Sequence, residues 1–135
     1  VLPGQPLVIL DVAHNPHAAQ ALAGGLKSLP RGGKTLAVFA MLADKDIEGV
    51  VGILRAQVNQ WFVAGIAGAG SRSTTAQQLL RRLVAAGVNG AVCCDSVADA
   101  CLKAREAAGV DDKILIFGSF HTVSEAMQAM REKKA

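Results

Sequence analysis

The chemistry-bearing residues recur at one kind of place, the few positions that follow each short apolar run. Asp11, His14 and Asn15 follow the first run, and Asp44, Lys45 and Asp46 the second. Arg72, Ser73 and Thr74 follow the third, Asp95 and Ser96 the fourth, and Gly118, Ser119, His121 and Thr122 the fifth. The densest group is Asp11-Val-Ala-His-Asn-Pro16. An acidic residue at a strand end, then a histidine and an asparagine closing a turn into a proline-started helix, gathers three hydrogen-bonding groups at one helix N-terminus. Such an end favours anions. A carboxylate there can accept both hydroxyls of a ribose, while the imidazole and the N–H groups face phosphate or carboxylate. The plainer alternative is that Asp11 and Asn15 only tie the turn.

Other polar positions have plain readings. Asp46, Asp95 and Thr122 read as helix caps, and Thr122-Val-Ser-Glu125 as a capping box. His17 lies one helical turn from His14, but no third ligand accompanies the pair, so no metal site is expected. Lys45, between two aspartates, reads as a solvated loop charge in preference to a phosphate ligand. Arg31-Gly-Gly-Lys-Thr35 imitates a phosphate loop, yet Ser28 stands where its first glycine belongs and the segment leads into a strand. Gly65, Gly68 and Gly70 are spaced G-x-x-G-x-G, which is not the dinucleotide fingerprint.

The elements that must carry these groups are legible as repeated βα units. Leu7–Val12, Thr35–Phe39, Trp61–Ala64, Ala91–Cys94 and Ile114–Phe117 are short apolar runs that read as strands. Between and after them, apolar residues recur at helical spacing: Ala18, Ala19, Leu22, Leu26; Ile47, Val50, Val51, Leu54, Val58; Ala76, Leu79, Leu80, Leu83, Val84. Val97, Ala100, Cys101, Ala104 and Val123, Ala126, Met127, Met130 complete the set. Near-continuous apolar strands imply burial on both faces. The expected fold is a three-layer, Rossmann-like α/β domain with a mostly parallel sheet of five or six strands flanked by helices. In such a sheet ligands bind beyond the carboxyl ends of the strands, where the polar groups gather. Gly65 to Thr74, the one long irregular stretch, reads as a mobile functional loop.

Composition bounds the function. The chain has 135 residues, 51% hydrophobic and 19% charged, which fits a single domain over 1–135. Fourteen basic against 11 acidic residues give a net charge of +3, with the basic ones mostly scattered, and there are four Phe, one Trp and no Tyr. A nucleic-acid partner is not indicated. The longest apolar run, around Trp61 to Gly70, is too short to span a membrane, and residues 1–15 hold no secretory signal. Three cysteines, two of them adjacent, read as reduced thiols of a cytoplasmic protein.

Three strings taken together resemble one family. Asp-Val-Ala-His-Asn-Pro-His-Ala-Ala at 11–19, Ala-Met-Leu-Ala-Asp-Lys-Asp at 40–46 and Gly-Ser-Phe-His-Thr-Val at 118–123 resemble the C-terminal domain of the bifunctional dihydrofolate synthase/folylpolyglutamate synthases, the folate branch of the Mur ligase superfamily. The first string marks the superfamily and the other two the folate branch. The resemblance implies an ATP-dependent amide ligase that adds L-glutamate to dihydropteroate or folates through an acyl phosphate, as a monomer. It implies that Asp11 holds the ATP ribose, that Asn15 belongs to the same nucleotide site, and that His14 is a catalytic residue facing phosphate or incoming glutamate. It gives Ser119 to the glutamate carboxylate. The phosphate loop, the Mg2+ ligands and most of the pterin site are expected in a larger N-terminal domain, so this chain alone is expected to be inactive. The family often has Pro-Arg where Ser71-Arg72 stands, which leaves Arg72 without an assigned role. The alternatives are a cell-wall Mur synthetase domain, against which Val12 counts, and a non-catalytic flavodoxin-like module.

Overall fold

A computed structural model describes residues 7–12, 14–29 and 33–134. Five βα units follow one another. They are β1 (Leu7–Asp11) and α1 (Pro16–Ser28), β2 (Thr35–Phe39) and α2 (Ile47–Leu54), β3 (Gln60–Ala64) and α3 (Ala76–Ala85), β4 (Val92–Cys94) and α4 (Val97–Ala107), and β5 (Lys113–Phe117) and α5 (Phe120–Lys134). The strand runs read from the sequence agree with these bounds to within one residue. The expected five or six strands are five among the described residues, all parallel, in the order β1-β5-β2-β3-β4.

Strand periodicity sorts the core into two layers. Ala37, Phe39, Trp61, Val63, Leu115 and Phe117 face α1, α2 and α3, where Phe39, Trp61 and Phe117 meet with ring centroids 4.9 to 5.9 Å apart. Their neighbours Leu36, Val38, Phe62, Ala64, Ile114 and Ile116 face α4 and α5. Cys93 and Cys94 obey the same rule, one packed on each layer, and both are free thiols. β2 and β5 are buried along their whole length, as the central strands of a covered parallel sheet must be.

The topology decides where a ligand can sit. The first three crossovers step across the sheet from β1 to β4 with their helices on one face; the fourth returns to β5 with α4 on the other. The chain therefore leaves β5 towards one face and leaves its neighbours β1 and β2 towards the opposite face. A crevice opens at the carboxyl ends of β1, β5 and β2, the arrangement that makes a ligand site in open α/β sheets.

Caps fix the helix starts around that edge. Asn15 Oδ1 accepts from the Ala18 N–H at 2.8 Å, Asp46 Oδ1 from Gly49 at 3.0 Å, Ser96 Oγ from Asp99 at 3.0 Å and Ser119 Oγ from Thr122 at 3.1 Å. Thr75 and Gln78 form a reciprocal capping box at α3. Two caps read from the sequence are thus corrected. Asp95 yields to Ser96, because Ser96 is the residue whose oxygen reaches the third helical N–H. The box at Thr122–Glu125 does not form, because α5 starts at Phe120 with Ser119 before it. Thr122 lies inside the first turn, and Glu125 Oε2 instead accepts the Ala98 N–H of α4 at 3.3 Å.

The Gly65–Thr74 stretch is more ordered than its composition implies. Ile66 and Thr74 form an antiparallel bridge through two hydrogen bonds of 2.8 and 2.9 Å, a 3-10 turn spans Gly70–Arg72, and Thr74 Oγ1 donates to the Met41 carbonyl at 2.7 Å. The expectation of a mobile loop gives way to a closed one, tied back to the segment after β2. Of the sequence features above, Ala13, Arg31, Gly32 and the Met130 side chain lie outside the described residues.

Candidate active site

His14, Leu42, Lys45, Arg72, Gly118, Ser119 and His121 line a cavity of about 280 Å3 in the crevice. Four connections supply these residues: the turns after β1, β2 and β5, and the closed loop after β3. Gly118 makes the turn after β5 possible. Its φ is +124°, and a Cβ there would collide with the Ala40 carbonyl, so the chain can pass this close to β2 only as glycine.

Ser119 is buried and embedded in a short chain of hydroxyls. Its Oγ lies 2.9 Å from Thr122 Oγ1, and Thr122 Oγ1 donates to the Ala40 carbonyl at 2.7 Å. Thr122 has one hydroxyl proton, spent on Ala40, so in the hydroxyl pair Ser119 donates and Thr122 accepts. Ser119 thus reaches a ligand as an acceptor, or as a donor after its proton turns away from Thr122.

His14 has its tautomer set by the backbone. Nδ1 lies 2.9 Å from the Val12 carbonyl, which can only accept, so Nδ1 carries the proton. In the neutral ring Nε2 keeps its lone pair.

Lys45 is half-buried on the cavity wall and makes no ion pair among the described residues. Its flanking aspartates are otherwise engaged. Asp44 Oδ2 accepts from Arg72 Nε at 3.0 Å, and Asp46 caps α2. Lys45 thus lines the cavity with its ammonium unpaired by any described carboxylate, a placement compatible with the solvated loop charge read from the sequence. Arg72 is anchored a second way, since its carbonyl accepts the Ala43 N–H at 2.8 Å.

Behind the Ala43–Asp46 turn stands Arg82 of α3, which has no part in the cavity wall. Its Nε and Nη2 meet Glu48 Oε2 and Oε1 at 2.9 and 2.6 Å, and its Nη1 and Nη2 donate to the carbonyls of Ala43 and Lys45 at 2.9 and 3.2 Å. The paired guanidinium holds the Glu48 carboxyl below the usual carboxylate range, and Glu48 raises Arg82 in turn. Nothing in the sequence sets Arg82 apart from Arg81 except the helical phase that turns it towards α2.

The cavity brings together His14 and Ser119 of the four site residues read from the sequence. Asp11 and Asn15 are not on its wall. Asp11 is half-buried at the end of β1, paired in register with Phe117, and Asn15 is exposed with its Oδ1 committed to the α1 cap. His17 is exposed, and no group of three or more His, Cys, Asp or Glu able to hold a metal occurs among the described residues. A wider groove of about 500 Å3 adjoins across His121, between Gly65–Ala67, Val97 and α5. Among the described residues its lining includes Glu125 and no lysine or arginine, whereas the smaller cavity has Lys45, Arg72 and the N-terminus of α5, a lining that suits an anion. No described helix is long and apolar enough to cross a membrane.

Comparison with known proteins places the chain in a family. A family model described as the Mur ligase glutamate ligase domain matches residues 1–120. The chain is 42% identical over 142 residues to the dihydrofolate synthase/folylpolyglutamate synthase of Escherichia coli (strain K12), covering 100% of this chain and 32% of that protein. It is 39% identical over 123 residues to the Haemophilus influenzae protein of the same name, covering 89% and 28%. Among solved structures, E. coli FolC in complex with ADP matches with a TM-score of 0.87 at 42% identity, over 99% of this chain and 33% of that one. A bifunctional folylpolyglutamate synthase/dihydrofolate synthase with Mn, AMPPNP and L-glutamate bound matches with 0.85 at 39% identity, over 97% and 30%. The chain thus spans about a third of the length of these relatives.

Proposed function

The chain belongs to the Mur ligase family as a glutamate ligase domain, and from that premise we propose that it is the C-terminal domain of an ATP-dependent ligase adding L-glutamate to dihydropteroate or folates. The reaction passes through an acyl phosphate: the pterin or folate carboxylate attacks the γ-phosphate of ATP, and the amine of glutamate then displaces phosphate. The observation that carries this reading is the cavity itself, where Lys45, free of ion pairs among the described residues, a second cation at Arg72, a helix N-terminus and the Ser119 hydroxyl converge from three connections. These groups suit a small dianion with an adjacent amine.

In this reading Lys45 and Ser119 bind a glutamate carboxylate and so fix the amine. His14, with its proton on Nδ1, turns the Nε2 lone pair towards the glutamate ammonium and accepts its hydrogen bond, or accepts a proton as the amine attacks. Asp11 and Asn15, outside the cavity wall but at the same sheet edge, are left to the nucleotide, Asp11 to the ribose hydroxyls and Asn15 through its exposed amide. The Mg2+ that neutralises charge in such phosphoryl transfer finds no fitting set of ligands among the described residues. Its ligands, with the phosphate loop and most of the pterin site, are assigned to another domain of the enzyme. Relatives of known structure have been seen with ADP, and with Mn, AMPPNP and L-glutamate.

Steady-state kinetics of the complete enzyme test the assignment. Ser119→Ala or Lys45→Met should raise the KM for glutamate well above any change for ATP, because a hydrogen bond to a charged group contributes about 1.5–3 kcal/mol. Equal changes for both substrates, or none for glutamate, would remove these residues from the glutamate site.

A further inference from the structure

The Ala43–Asp46 turn that carries Lys45 has few internal restraints. Within it, Lys45 N–H donates to the Leu42 carbonyl at 3.2 Å and Ile47 N–H to the Lys45 carbonyl at 2.9 Å. From the cavity side Arg72 holds Asp44 and the Ala43 N–H. From the opposite side Arg82 reaches out of α3, grips Glu48 in the first turn of α2 with two bonds, and uses two of its three other donors on the carbonyls of Ala43 and Lys45. The two carbonyls belong to the Ala43–Asp44 and Lys45–Asp46 peptides, one on each side of the Asp44–Lys45 peptide. We propose that Arg82 is a positioning residue for glutamate binding: it fixes the backbone of the Ala43–Lys45 turn from behind, and so sets where the Lys45 ammonium stands in the cavity. A planar guanidinium is the one side chain that can hold a carboxylate through two nitrogens and still donate to two carbonyls.

The proposal rests on the reading of the cavity as the glutamate site, and a double-mutant cycle in the complete enzyme separates the two. Arg82→Met should raise the KM for glutamate about three- to tenfold, the effect of losing one ordinary hydrogen bond's worth of positioning, while kcat and the KM for ATP stay within about twofold. In a Lys45→Met background the same substitution should have no further effect on the glutamate KM, since the group it positions is gone. Arg82→Lys should restore part of the loss, because an ammonium keeps the Glu48 pair and one carbonyl. If Arg82→Met does not fold, Arg82→Gln carries the same measurement with one carbonyl bond and no ion pair. Equal rises in the glutamate and ATP KM, or effects of Arg82→Met and Lys45→Met that multiply fully, would show Arg82 to be a clamp between α2 and α3 and nothing more. A Lys45→Met enzyme with an unchanged glutamate KM would instead overturn the reading of the cavity, and this inference with it.

Discussion

Ser119 has one hydroxyl proton, and in the folded chain Thr122 receives it. That commitment makes a prediction with two opposite signs. Thr122→Val removes the acceptor from Ser119 and leaves the buried Ala40 carbonyl without its donor, which should lower stability by about 1–3 kcal/mol. The freed Ser119 proton can then turn to a carboxylate, so the glutamate KM of the complete enzyme should stay level or fall while the melting temperature drops. Thr122→Ser should restore both. A glutamate KM that rises with Thr122→Val would mean that Ser119 works in the orientation Thr122 imposes, as an acceptor from the glutamate ammonium, and would remove it from the carboxylate. At this scale the sequence was most informative where residue type alone restricts the chemistry, as for His14 and Ser119. At Lys45 the sequence shows two flanking aspartates but not where they turn. In three dimensions Asp44 turns to Arg72 across a different connection, and Asp46 to its own helix. Arg82 and Thr74 act through carbonyls of distant residues, Lys45 and Met41 among them, and carry no local signal.

Among the elements, periodicity located the five described strands and most of each buried helix face, because alternation and the 3.6-residue repeat both survive in the pattern of apolar residues; Val84 and Met127 are exposed and Val58 falls beyond α2. Helix starts were less legible. Each of the segments 95–99 and 119–125 offers several capping side chains, and only the backbone path decides which oxygen reaches the third N–H. One cap outside any helix should contribute to acid stability. Asp112, buried just before β5, accepts the N–H of Lys34 through Oδ1 and that of Gly109 through Oδ2, both at 2.8 Å, joining the entries to β2 and β5. These two bonds hold its carboxyl below the usual carboxylate range. A group depressed on folding stabilises fully above its unfolded pKa, about 3.9 for aspartate, and that contribution is lost as pH falls through the folded value. The urea midpoint should therefore fall below about pH 4, with Glu48 adding to the loss by the same sign. Asp112→Asn, which keeps one acceptor and faces the other N–H with a donor, should lower the midpoint at pH 7 and flatten the acid limb. An unchanged slope between pH 3 and 5 in that variant would show that Asp112 does not govern the acid response.

For the molecule as a whole, the sheet gathers its polar residues on one edge and the opposite faces are closed by helices, so whatever completes the site must approach that edge. The chain contains no phosphate loop: Ser28 breaks the only candidate, and its lysine runs directly into β2. No metal-binding group of three occurs among the described residues. In the proposed reading Lys45, Ser119 and His14 contact glutamate, but the triphosphate, whose transfer requires charge neutralisation and alignment of the attacking carboxylate, finds neither among the described residues. Purified 1–135 should therefore fold, with two helix-covered apolar layers giving a cooperative urea transition, and yet turn over no ATP and form no glutamyl product. Glutamate should bind it only weakly, since the cavity is open on the side where the acyl phosphate would stand. The measurements are phosphate release with the folate substrate and glutamate present, and a glutamate titration followed by chemical-shift changes at Lys45 and Ser119. Enzyme-like phosphate release from the isolated chain, persisting in repeated preparations and abolished by Asp11→Ala, would mean that the nucleotide site is complete within these residues. Shifts confined to the Gly65–Ala67 side of α5 would move the glutamate site to the wider groove.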